Sequence, residues 1–169
     1  CFTSKFKSHP LYAELSKKAV SVLLSSPQSL IEFLITSKLF AKNLSNFLSS
    51  DDSKIPTLCS HFSEILISQL SVGTPFLFKN FPKVQKQLLN RIECLAIRYL
   101  ILTLVSSKVD HINCEQMVND LASLADDKSD ENAIYLISMI YKTIKGDSKF
   151  QTLFNNSFVM DHLLNIAVK

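Results

Sequence analysis

Apolar residues recur three and four positions apart along almost the whole chain, as in Leu58, Phe62, Ile65, Leu66 and in Leu88, Ile92, Leu95, Tyr99. That spacing follows the helical turn and puts each set on one side of an α-helix. Glycine occurs only at Gly73 and Gly146, both where a helix should stop. Such scarcity argues against the tight turns of hairpins and sheets. The pattern predicts an all-α protein.

The predicted helices are 10–25, 27–36, 38–49, 55–72, 75–79, 82–106, 114–126, 131–145, 148–155 and 158–168. Cap residues signpost their starts: Ser26, Ser37, Thr74-Pro75, Asn80, Asn113, Asp130, Asp147 and Ser157. Asn113 with Gln116 three residues on resembles a capping box. The intervening loops, 49–54 and 106–112, are too short for domain linkers, so 1–169 reads as a single domain.

One joint is unusual and recurs. In SPQSLIEFLITSKLF (26–40) Ser26-Pro27 starts one helix, and Thr36-Ser37 starts another about ten residues later. LIEFLITSKLFAKNL (30–44) aligns with FQTLFNNSFVMDHLL (150–164), matching Phe33 to Leu153, Leu34 to Phe154 and Ser37 to Ser157. TPFLFKNFPKVQKQLL (74–89) follows the same scheme, with Asn80 in place of Ser37. A longer amphipathic helix precedes each copy: 10–25, 55–72 and 131–145. A long helix, a very short one turning sharply and another long one, recurring at about forty residues, suggest stacked helical repeats.

In this layout the chain resembles the armadillo/HEAT-like superfamily, in which a short first helix precedes two longer ones. The resemblance implies a short right-handed α-solenoid. The stretch 82–126 departs from it, because that helix is too long and the next short helix is missing. A compact helical bundle is the rival arrangement.

Composition narrows the function classes. Eighteen basic against fifteen acidic residues give a net charge of only +3, too mild to demand nucleic acid or an anionic membrane. The longest apolar stretch, Tyr99 to Val105, falls far short of a membrane span, so no membrane insertion is expected. The chain starts at Cys1 without a signal-peptide pattern, and it reads as a piece of a longer protein. Cys1, Cys59, Cys94 and Cys114 lie far apart, unlike a disulfide-stapled secreted domain, which points to a reducing cytoplasmic or nuclear setting.

Catalytic and cofactor signatures are missing from the sequence. Two distant glycines cannot make a phosphate-cradling loop, and no G-x-S-x-G elbow occurs. Cys59 and His61 point apart on a helix, while His111-x-x-Cys114 has no second ligand pair nearby. Asp51-Asp52 and Asp126-Asp127 read as loop and helix-end acids. The expectation is a monomeric or weakly associating non-enzyme without metal or cofactor.

What remains is binding. The armadillo resemblance implies a concave surface lined by the third helix of each repeat, here 10–25, 55–72 and 131–145. Their non-core faces present Glu14, Lys17, Lys18 and Ser21; then Ser60, Glu64, Ile67 and Ser71; then Tyr135, Ser138, Met139 and Lys142. Such a scaffold or regulatory subunit would grip a segment of another protein. The alternative is a nucleic-acid- or chromatin-associated domain using Lys79, Lys83, Lys86, Arg91 and Arg98, the basic face of helix 82–106. From Asp110 to Glu131 the balance reverses, with acids dominating. That polarity suits orientation of a protein partner.

Overall fold

The computed structural model describes residues 12–128, 130–144 and 161. Every regular element among them is a helix: α1 (Tyr12–Leu24), α2 (Gln28–Thr36), α3 (Lys38–Phe47), a 3-10 turn (Asp51–Lys54), α4 (Pro56–Ile67), α5 (Gly73–Asn80), α6 (Lys83–Leu89), α7 (Leu95–Ser106), α8 (Cys114–Lys128) and α9 (Glu131–Ile144). The expected helices 148–155 and 158–168, their caps Asp147 and Ser157, Gly146 and the repeat copy 150–164 lie outside the described residues, Asp161 excepted.

Local chemistry sets most boundaries. Pro27 stands in extended backbone before α2 (φ −53°, ψ 140°), and α1 and α2 turn through 114° there. Ser26 closes α1 rather than opening α2, because its hydroxyl donates to Val22 O at 2.8 Å. Ser37 is a true N-cap, its Oγ accepting from Phe40 N. Asn113 Oδ1 accepts from Gln116 N at 2.9 Å, one half of the expected box, while the Gln116 amide turns to Asp120. Asp130 caps α9 through Asn132 N at 2.9 Å.

Two starts shift. α5 begins at Gly73, and Thr74 is buried with its hydroxyl donated to Leu66 O at 2.6 Å. Asn80 ends α5 and donates back to Phe76 O.

The larger correction concerns 82–106, which is two helices. Arg91 N donates to Leu88 O at 2.9 Å and Cys94 N to Arg91 O at 3.0 Å, closing turns between α6 and α7. The helix expected over 55–72 likewise stops at Ile67, and Ser71 lies in the turn beyond it.

Packing builds one continuous layer. α1 packs on α4, α4 on α7, and α7 on α9. Outside it α2 packs on α5 and α6 on α8. The main core runs from Ala41 to Ile140, and a smaller one joins Val20, Ile31, Ile35 and Ile65 where α1, α2 and α4 meet. In α2 the buried residues are Ile31 and Ile35, whereas Leu34 is only half-buried and Phe33 is exposed. Leu34, which the repeat alignment pairs with Phe154, is thus not the most buried position of α2. The true inward face is one residue further round.

Polar ties cross the layer at each step. Ser16 Oγ pairs with His61 Nδ1 at 3.0 Å between α1 and α4. Ser63 Oγ donates to Ala96 O at 3.0 Å between α4 and α7. The Arg98 guanidinium bonds Asn132 Oδ1 between α7 and α9. Each satisfies a partly or wholly buried polar group, which would otherwise oppose packing.

Candidate functional site

α7 buries Ile97, Leu100, Ile101, Leu104 and Val105, a helical stripe of its own. The turn before it resets the phase of the apolar pattern. Val84, Leu88 and Ile92 are buried as expected, but Leu95 is 69% exposed and Tyr99 62% exposed. Read as one straight helix, all five shared a stripe; the break puts the last two on the surface. Isolated exposed apolar residues are ordinary, but adjacent large ones over a concavity are not.

The concavity is a groove of about 490 Å³ between the beginnings of α4 and α7, lined by Pro56, Ser60, Glu93, Cys94, Leu95, Ala96 and Tyr99. Glu64, one turn after Ser60 on α4, is exposed, as is Glu93. Leu95, Arg98 and Tyr99 fall three and four residues apart and so share one face of α7. From that face Arg98 reaches α9, its Cζ lying 5.9 Å from the centre of the Tyr135 ring. Leu95, Tyr99 and Glu93 thus line the groove, and Arg98, on the same face of α7, ties it to Tyr135 on α9.

The expected partner-binding residues divide accordingly. Ser60 lines the groove. Tyr135 is 51% exposed beside Arg98. Ser138 and Met139 are half-buried and Lys142 exposed on the same helix. Ile67 does not project: it is half-buried against the main core. On α1, Glu14, Lys17, Lys18 and Ser21 are exposed, with Lys18 Nζ 2.7 Å from Glu14 Oε1.

The five basic residues do not share one helix. Lys79 stands on α5, and Lys83 and Lys86 on α6, all exposed. Arg91, 19% exposed at its side chain, donates Nε to Ser53 Oγ at 2.6 Å. Arg98 donates to Ile92 O at 3.1 Å and to Asn132. Both arginines therefore bond within the fold, and the break after Leu89 separates them from the helix that carries Lys83 and Lys86.

Below the groove lie two thiols. Cys59 is fully buried, its Sγ donating to Ser53 O at 2.9 Å. Burial, then the neighbouring Cys94, pushes its thiol up to about 12. Burial also raises Cys114. Cys59 and His61 diverge into different contacts, as expected on a helix. Among the described residues no three His, Cys, Asp or Glu side chains gather. A second cavity of about 340 Å³ lies between α1 and α3, with Val20, Leu23, Phe40 and Phe47 in its walls and no charged group among its described lining residues.

No single helix among the described residues is long and apolar enough to cross a membrane. Compared with known proteins, the chain matches no protein-family profile, no curated protein and no solved structure.

Proposed function

We propose that this chain is a non-enzymatic protein-interaction module, a scaffold or regulatory element, that grips a segment of a partner protein on the α4–α7–α9 face. The observation that carries the reading is the exposure of Leu95 and Tyr99 over a groove lined by Glu93, with Glu64 exposed on α4 one turn after the lining Ser60. The partner segment it suits has an aromatic or aliphatic anchor beside lysine or arginine, since the anchor fills the groove and the cations meet the acids.

The packing order supports a short right-handed armadillo-like solenoid. With 82–106 divided, α2–α3–α4 and α5–α6–α7 become successive triplets, each ending in its longest helix. Like members stack, α2 on α5 and α4 on α7. α8 and α9 continue the order without a short helix. In that frame α7 is the third helix of its repeat, and the concave surface includes Leu95 and Tyr99. The nucleic-acid reading keeps only Lys79, Lys83 and Lys86 of its five residues.

A random peptide display library selected on the purified chain tests this. Expected binders carry an aromatic or aliphatic residue next to Lys or Arg. Tyr99→Ala, and Tyr135→Ala with Met139→Ala, each weaken them by roughly thirtyfold, about 2 kcal/mol, while melting temperature stays nearly constant. Binders indifferent to these substitutions overturn the reading.

A further inference from the structure

The smaller core cluster borders a space that the described residues do not fill. α1 packs chiefly on α4 and α3 chiefly on α2, and the cavity of about 340 Å³ lies between α1 and α3. Val20 from α1, Leu44 and Phe47 from α3 and Ile65 from α4 wall it, each at most 5% exposed. The Phe47 ring is held by stacking on Phe62, with centroids 5.1 Å apart, so that wall is fixed.

The lining is graded in polarity. Asn43 and Asn46 are exposed and, three residues apart on α3, share one of its faces. Neither carboxamide has a hydrogen-bond partner among the described residues. Ser50 donates its hydroxyl proton to Phe47 O at 2.7 Å, which leaves its oxygen as an acceptor. No charged group stands among the described lining residues. A dry cavity of about 150 Å³ with aliphatic and aromatic walls takes up benzene, so a space somewhat over twice as large suits roughly ten to twelve heavy atoms.

We propose that this cavity binds a neutral amphiphile of about ten carbons, such as a fatty alcohol, with its apolar part between α1 and α3 and its head at Asn43 and Asn46. Burying the tail removes apolar surface from water on both sides of the contact. An alcohol head suits two carboxamides, because both groups donate and accept. A carboxylate would enter with its charge uncompensated. The site is distinct from the partner groove: α4 supplies Ile65 here, and Pro56 and Ser60 there.

Methyl NMR of the full chain titrated with 1-decanol tests the proposal. Expected are saturable shifts of the Val20, Leu23, Leu44 and Ile65 methyls and a raised melting temperature. Ionised decanoate is expected to bind about tenfold more weakly or worse, since its charge finds no partner. Ala19→Phe, which fills the space from the α1 wall, should abolish the shifts in a folded chain. Asn43→Ala with Asn46→Ala should lower decanol affinity by roughly tenfold. Absent shifts in the wild type, shifts centred instead on Leu95 in the groove, or decanoate binding as tightly as decanol overturn the proposal. The wild-type titration decides this even where Ala19→Phe fails to fold. Contacts from Phe2 or Phe6 to those methyls in place of ligand shifts overturn it too, because the chain then fills the space itself.

Discussion

The Arg98 guanidinium lies 5.9 Å from the centre of the Tyr135 ring while bonding Asn132 on the same helix, so one side chain binds α7 to α9 twice. Sequence reasoning had set these residues on separate surfaces, a basic face and a partner groove. They belong to one junction. Arg98→Ala leaves Ile92 O and Asn132 without their donor and frees the Tyr135 ring. A loss of about 1–3 kcal/mol is expected by chemical denaturation, with Arg98→Lys recovering part of it, since lysine keeps the charge without the planar fork.

Ile35 is wholly buried where α1, α2 and α4 meet. Ile35→Asp places an unpaired carboxylate there, and the expected result is loss of cooperative thermal unfolding, a penalty of several kcal/mol. Leu34→Asp, at a half-buried position, is expected to be milder. Circular dichroism melts of the two variants check the inward face of α2. Phe154, the matching position in the distant repeat copy, lies outside the described residues.

Gly73 is required by a close approach rather than by a turn. A Cβ there would stand 2.6 Å from Ile35 Cγ2 and 3.1 Å from Gln69 Cβ. Gly73→Ala should therefore cost about 1–3 kcal/mol through overpacking between α5 and α2, despite alanine's better helix propensity. A double-mutant cycle checks the cause: the penalty shrinks in an Ile35→Ala background, where the clashing methyl is gone.

Cys59 makes stability depend on alkaline pH. Its thiol is raised from an ordinary 9.0 to about 12 by burial and by Cys94, with Glu93 adding and Arg91 opposing. The unfolded chain thus loses that proton first. The contribution is fully present below pH 9.0 and is lost as pH rises from there toward about 12. Denaturant midpoints measured across that window should fall with pH in the wild type and fall less in Cys59→Ala.

Lys83 and Lys86 are exposed on α6, outside the α4–α7–α9 layer. Lys83→Glu with Lys86→Glu is expected to change stability by about 0.5 kcal/mol at most and to leave peptide affinity unchanged. Calorimetry with a displayed peptide checks this. Weakened binding would move the partner surface from the groove to the lysines.

What the sequence determined by itself was local. Periodicity at three and four residues made the chain helical, because burying one face of a helix needs only the chain's own spacing. Ser37, Asn113 and Asp130 capped helices as their side chains dictate, since the bonds they make reach only two or three residues along. The break between α6 and α7 was different. The segment Leu89-Asn90-Arg91-Ile92-Glu93-Cys94 contains neither glycine nor proline, so nothing in it forbids a straight helix. Tertiary contacts decided it: Arg91 reaches across to Ser53 in the 3-10 turn, and α6 packs on α8 whereas α7 packs on α4 and α9. That one turn exposed Leu95 and Tyr99 and separated Arg91 and Arg98 from the helix that carries Lys83 and Lys86. Each depends on a partner thirty or more residues away, and hydrophobic spacing along one segment carries no information about where such a partner will lie.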